Sequence, residues 1–160
     1  MNLIVPSNEI TELVQKLRKD KNCLIAFTNG CFDILHRGHV VYLEKAKEYA
    51  SILIVGLNSD DSVRRLKGEG RPLMPEEDRA FILSRLESVD IVCVFDEDTP
   101  YELIKKILPD ILVKGGDYRV EDIVGRDIVD ESGGKVLTIP LVPGRSTTNI
   151  VNKANRHIKD

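Results

Sequence analysis

The sequence predicts an α/β fold in which a parallel sheet of about five strands carries helices on both faces. Three observations predict it. Short runs such as Ile52-Leu53-Ile54-Val55 and Ile91-Val92-Cys93-Val94-Phe95 are apolar throughout, as strands covered on both sides require. These runs alternate with segments whose apolar residues recur at helical spacing. Glycines and polar residues follow the runs, at the strand ends where such sheets bind ligands. The pattern is that of a Rossmann-like, doubly wound sheet.

Each element has its own signal. Pro6-Ser7-Asn8-Glu9 reads as a helix start capped by Ser7, with Ile10, Leu13, Val14 and Leu17 on one face. Cys23 to Thr28 is the first strand, and Gly38 to Ala50 is a helix with Val41, Leu43 and Ala46 on its apolar side. Ile52 to Leu57 is the second strand. Pro75 to Leu86 is a helix that opens on Glu76-Glu77-Asp78, as its dipole favours. Ile91 to Phe95 is the third strand, and Thr99-Pro100 opens a helix that reaches Ile107 or Leu108. Asp110 to Lys114 is the fourth strand, a short helix follows near Ile123 to Glu131, and Lys135 to Pro140 is the fifth strand. Ser146 to Ile158 is the last helix, capped by Ser146 or Thr147.

The 160 residues suit one domain, 1–160, with one core. A net charge of −3 gives no overall attraction to nucleic acid or anionic lipid, so an anionic ligand needs a local basic pocket. The three cysteines, Cys23, Cys31 and Cys93, lack zinc or CxxC spacing and read as free thiols. Met1 to Pro6 lacks the pattern of a signal peptide, and no apolar run is long enough to span a bilayer. The expectation is a cytoplasmic protein that engages neither nucleic acid nor membrane.

The loop after the first strand is Thr28-Asn29-Gly30-Cys31-Phe32-Asp33-Ile34-Leu35-His36-Arg37-Gly38-His39. Gly38 lets the backbone approach a phosphate where a helix begins, and helix N-termini favour anions. His36 and His39 flank it and can donate to phosphate oxygens and to charge growing there in a transition state. Two histidines three apart also fit a metal pair or plain surface residues; the position after a parallel strand favours the phosphate. Asp33 either meets Mg²⁺ or a sugar hydroxyl, or stabilises the turn. In the second loop Asn58 and Asp60 suit sugar hydroxyls, while Ser59 or Asp60 equally suits a helix cap. Arg64, Arg65, Lys67 and Arg71 place four cations within eight residues, interrupted by Gly68 and Gly70. That segment is the required basic pocket, on a mobile loop, or else a solvated basic face. Arg79 either joins this basic set or pairs with acids of its own helix. Lys114 either reaches an acceptor phosphate or is a surface lysine. Arg145-Ser146-Thr147-Thr148 offers a cation, hydroxyls and amides at a helix start.

His36-Arg37-Gly38-His39 matches the HxGH signature of the nucleotidyltransferase superfamily. The longer strings Phe27 to His36, Gly56-Leu57-Asn58-Ser59-Asp60, Leu66-Lys67-Gly68, Arg71-Pro72, Asp98-Thr99-Pro100, Val113 to Tyr118 and Ser146-Thr147-Thr148 resemble the heptose 1-phosphate adenylyltransferase family. The resemblance implies AMP transfer from ATP to a sugar 1-phosphate for lipopolysaccharide precursor synthesis, with the fused kinase domain of many such enzymes absent from 1–160. It implies catalytic roles for His36, His39 and Lys67. It implies nucleotide binding by Thr28, Asn29, Gly30, Phe32, Gly38, Gly116, Asp117, Arg145, Ser146, Thr147 and Thr148. Asp33, Asn58, Asp60 and Lys114 are the substrate-binding candidates. Mg²⁺ is expected on the ATP phosphates rather than at a fixed protein site, and a homodimer is common in related enzymes. Glycerol-phosphate cytidylyltransferases carry an arginine where this chain has Leu141, with Arg145 as a nearby replacement. The departure argues against the alternative, a cytidylyltransferase acting on glycerol phosphate or a similar alcohol phosphate.

Overall fold

The computed structural model describes residues 2–116 and 118–157. Asp117, a nucleotide-binding candidate, and the expected helix end at Ile158 lie outside the described residues. The elements are β1 (Leu3–Pro6), α1 (Ile10–Leu17), β2 (Ile25–Gly30), α2 (Arg37–Lys47), β3 (Ile52–Asn58), α3 (Asp60–Lys67) and α4 (Glu76–Ser84). They continue as β4 (Ile91–Phe95), α5 (Tyr101–Ile107), β5 (Ile111–Gly115), a 3-10 turn (Val120–Asp122), α6 (Arg126–Glu131), β6 (Lys135–Ile139) and α7 (Thr147–His157).

The sheet is parallel throughout, with strand order β1-β4-β3-β2-β5-β6. Its two faces follow from strand alternation. Phe27, Ile54, Cys93 and Leu112 point to one side and pack with Ile10 and Val14 of α1, Leu103 and Ile104 of α5 and Val129 of α6. Ala26, Leu53, Val55, Val92 and Val113 point to the other side and meet Leu43 and Ala46 of α2 and Ala80 and Leu83 of α4. The strand order reverses between β2 and β5. Outside the carboxyl ends of those two strands such a sheet opens a crevice.

Three expectations need correction. The sheet has six strands, not about five, because Leu3–Pro6 pairs with β4 at the edge. Leu3 and Ile4 are exposed there, so the apolar signal of a buried strand is missing. Ser7 does not cap α1: the cap position is Glu9, and no side chain bonds the first turn. Val63 to Lys67 is not loop but the end of α3, capped by the Ser59 hydroxyl, which accepts from Ser62 N at 3.0 Å. The glycines fall after it, with Gly68 at φ +97° closing the helix.

Candidate functional site

Three connected chambers lie over the β2–β5 switch point. The first, about 220 Å³, is lined by His36, Gly38, His39, Lys67, Arg71 and Arg145 and by Ser146, Thr147 and Thr148 of the final loop and helix. The second, also about 220 Å³, shares His39, Tyr42, Lys67, Leu141 and Thr147 with it and adds Asn29, Gly30, Phe32, Lys114, Gly115 and Tyr118. The third, about 490 Å³, shares Asn29, Gly30, Lys67, Lys114 and Tyr118 with the second and adds Asn58, Asp98 and Thr99. Lys67 lines all three.

The first chamber takes its chemistry from the start of α2. His36 is the N-cap in extended backbone, and its Nδ1 accepts from Gly38 N at 3.0 Å. His39, three residues on, accepts the His36 backbone N–H on its own Nδ1 at 3.3 Å. The result is a capping box built from two imidazoles. Because both Nδ1 atoms accept, both rings in the neutral state carry their proton on Nε2. The rings stack, with centroids 3.8 Å apart and planes 22° from parallel, and Phe32 braces His39 edge-on at 5.2 Å. Burial, and then the charges of His36 and Lys67, push the His39 pKa down to about 4. Burial and the Arg145 guanidinium push His36 down as well. Two neutral N–H donors therefore stand beside Lys67, Arg71 and Arg145, and no carboxylate lines that chamber. Neither α2 nor α7 carries an acid in its first turn, whereas α3 and α4 do. The arrangement suits a polyphosphate.

The wall of the crevice is fixed by two buried charges. Asp33, 2% exposed, accepts from Leu73 N at 2.9 and 3.0 Å and from Met74 N at 3.0 Å, and pairs with Arg71 at 3.2 Å. Its carboxylate ties the loop after β2 to the segment after α3, with Phe32 and Ile34 on either side at positive φ. Those contacts are the turn-stabilising role, and Asp33 also lines the second chamber. Arg79, 1% exposed, donates to the carbonyls of Cys31, Asn58 and Met74 and pairs with Asp60 at 2.6 Å. It does not pair with acids of its own helix.

Other candidates divide in the same way. Asp60 is held by Arg79 and lines none of the chambers. Thr28 is fully buried, with its hydroxyl 2.6 Å from that of Tyr42, which also donates to Val113 O. Asn58 lines the third chamber while its amide donates to Ser62 Oγ. Lys114 donates to Asn29 at 3.3 Å, and burial lowers its pKa. Gly116 sits at φ +112° and lines none of the three chambers, while its neighbour Gly115 lines the second. Ser146 accepts from Asn149 N at 3.1 Å, the capping role, which leaves Thr147 and Thr148. Sequence reasoning missed the structural weight of Arg79 and Tyr42, and it did not place Asp98, Thr99 or Tyr118 in the crevice wall. Asp98 and Thr99 follow β4, so the strand-end rule could have found them. Among the described residues, no three His, Cys, Asp or Glu side chains gather as a metal site.

The fold is that of a nucleotidyltransferase. Residues 27–153 match the cytidylyltransferase-like family model, and the chain belongs to that family. It is 59% identical over 132 residues to the bifunctional protein HldE of Geobacter metallireducens, covering 82% of this chain and 27% of that one. To the bifunctional protein HldE of Trichlorobacter lovleyi it is 49% identical over 156 residues, covering 98% and 32%. The chain thus spans about a quarter to a third of the length of these curated relatives. Among solved structures, the lipopolysaccharide core biosynthesis protein of Thermoplasma volcanium aligns with a TM-score of 0.61 at 26% identity, covering 75% of this chain and 97% of that one. No helix among the described residues is long and apolar enough to cross a membrane.

Proposed function

We propose that this chain transfers AMP from ATP to a sugar 1-phosphate, D-glycero-D-manno-heptose 1-phosphate, giving ADP-heptose and pyrophosphate for lipopolysaccharide core precursors. The observation that carries the reading is the first chamber. Two imidazole Nε2–H donors, Lys67, Arg71, Arg145 and the hydroxyls of α7 converge there from separate elements. The HldE relatives and the lipopolysaccharide core neighbour support the choice of acceptor.

The acceptor phosphate is already an anion, so attack on the α-phosphorus needs no strong base and no covalent intermediate. Catalysis then rests on alignment and on stabilising charge. His36 and His39 donate to oxygens of the α-phosphate and of the departing pyrophosphate. Lys67, reaching all three chambers, holds the triphosphate against the acceptor. Asn29, Asn58 and Lys114 line the largest chamber and receive the sugar phosphate.

Mg²⁺ belongs to this reading as the partner of the triphosphate. The first chamber offers nitrogen cations, imidazoles and hydroxyls, and Asp33 is committed to amides and Arg71, so phosphate oxygens would carry the metal. When bound it neutralises charge on the leaving group. Residues 1–160 act here as one cytoplasmic nucleotidyltransferase domain.

The family description is compatible with a second reading, a cytidylyltransferase, for which glycerol phosphate is the acceptor to test. One experiment separates the two: incubation with Mg²⁺, ATP or CTP, and a panel of sugar 1-phosphates and glycerol phosphate, with products read by mass spectrometry. ADP-heptose is the expected product. A clear preference for CTP and glycerol phosphate would overturn the assignment.

A further inference from the structure

We propose that Arg65, which lines none of the three chambers, positions Lys67 for the triphosphate by tying the last turn of α3 to the turn after β4; this deepens and rests on the adenylyltransferase reading. Lys67 lines all three chambers, yet it stands on a turn with little packing to hold it. Within α3 only Ser62 and Val63 are buried, and Leu66 is half exposed. Beyond the helix, a Cβ at Gly68 or Gly70 would meet nothing within 4 Å, and the next side-chain tie is the Arg71–Asp33 pair.

One face of α3 supplies the hold. Ser59, Ser62 and Arg65 recur at intervals of three, which places them on one side of the helix. Each bonds the segment Asp96-Glu97-Asp98. The Ser59 hydroxyl donates to the Asp96 carboxylate, and the Ser62 hydroxyl donates to Glu97 O at 3.1 Å. The Arg65 guanidinium donates through Nε to Asp98 Oδ1 at 2.7 Å and through a terminal nitrogen to Asp96 O. Such a fork fixes direction as well as charge. Arg64, by contrast, pairs with Asp61 of its own helix. Among the described residues, Arg65 is therefore the one side chain of the last turn that bonds another element.

Its partner belongs to the site. Asp98 lines the third chamber with Thr99, Leu66 and Lys67. Arg65 thus fixes the wall of the acceptor chamber to the lysine that reaches the triphosphate. The Arg65 side chain is 44% exposed, and an ion pair so exposed contributes little to stability. Its loss is read in ligand binding rather than in unfolding.

The test is isothermal titration of ATP with Mg²⁺ into the whole chain, as wild type, Arg65→Gln, Lys67→Ala and the double variant, with a thermal melt of each. Arg65→Gln is expected to weaken ATP roughly tenfold, within the range of coupling between neighbouring residues. Its melting temperature is expected to fall by at most about 4 °C. In the Lys67→Ala background the same substitution is expected to cost less than about twofold, because the group it positions is gone. Arg65→Lys should recover part of the loss, and Arg64→Gln, which removes the same charge one residue away, should bind ATP as wild type does. Wild-type affinity in Arg65→Gln, an equal loss with and without Lys67, the same loss in Arg64→Gln, or a large fall in melting temperature alongside the lost affinity would overturn the proposal. Turnover with heptose 1-phosphate is read on wild type: the expected binding pattern without any ADP-sugar would defeat the adenylyltransferase reading and leave Arg65 as the residue that places Lys67.

Discussion

Asp33 Oδ2 stands 3.2 Å from Arg71 Nε, and the same carboxylate takes the backbone N–H groups of Leu73 and Met74. One buried charge thus joins the loop that ends in the histidine pair to the segment that follows Lys67. Arg71 is held where it lines the first chamber. Asp33→Asn keeps the size but loses the charge, and places an amide N–H₂ against N–H donors. It is expected to cost about 2–3 kcal/mol in urea unfolding. It is also expected to raise the KM for ATP and lower kcat, because Arg71 is freed. Lower stability with unchanged kinetics would reduce the link to scaffolding.

The histidine pair makes a pH prediction. His39 titrates near 4 in the folded chain, well below the ordinary value of 6.5. A lowered histidine pKa means that the unfolded chain binds the proton more readily. The stability due to neutral His39 is therefore complete above about pH 6.5 and is lost as pH falls from there towards 4. Protonation would also set Nδ1–H against the His36 backbone N–H that it now accepts. Thermal unfolding across pH 4–7, compared with His39→Ala, checks this: the mutant should lose part of the acid dependence. Its turnover is expected to fall roughly 10²–10³-fold if Nε2–H donates in the transition state. A His39 resonance titrating at 6.5 in NMR would defeat the assignment.

Much of this was legible in the sequence, for identifiable reasons. Strands such as Ile52–Leu57 and Ile91–Phe95 are buried on both faces, so their composition alone declares them. His36, Gly38 and His39 follow a strand and open a helix, and Ser146, Thr147 and Thr148 open another, where parallel sheets place ligands. Lys67 and Arg71, at and after the end of α3, are marked in the sequence only by their charge. Strand β1 was hidden because edge pairing demands backbone, not apolar side chains. Arg79 was misjudged, and Asp33 left between two roles, for a common reason. A charged residue read one at a time looks exposed or functional, and its burial depends on carbonyls and amides from distant loops. Asp60 looked like a ligand because its partner is nineteen positions away.

Gly38→Ala isolates the geometry of the pair. A Cβ at position 38 would lie 2.9 Å from His36 Cε1 and 3.2 Å from Arg145 Cβ. The imidazole must swing away, which breaks its bond to the residue 38 amide. Alanine favours a helix over glycine by up to about 1 kcal/mol, so the loss of packing is partly offset. The melting temperature is expected to move little while kcat/KM drops at least tenfold. A variant with wild-type turnover would show that the ring position is not critical.

Arg79 supplies the sharpest stability test. Its guanidinium is fully buried and serves three carbonyls, of Cys31, Asn58 and Met74, besides Asp60. The two loops after β2 and β3 and the segment before α4 are thereby fixed to one another. Arg79→Met fills similar space but strands those carbonyls and the Asp60 charge, a loss of roughly 3–5 kcal/mol. Arg79→Lys keeps the charge but cannot reproduce the planar fork, so it is expected to recover only part of that loss. Denaturant unfolding of the two variants gives the ranking wild type, lysine, methionine. Adding Asp60→Asn to Arg79→Met removes the stranded carboxylate and is expected to restore part of the stability. A double variant no more stable than Arg79→Met would show that the carbonyls, rather than the ion pair, account for the loss.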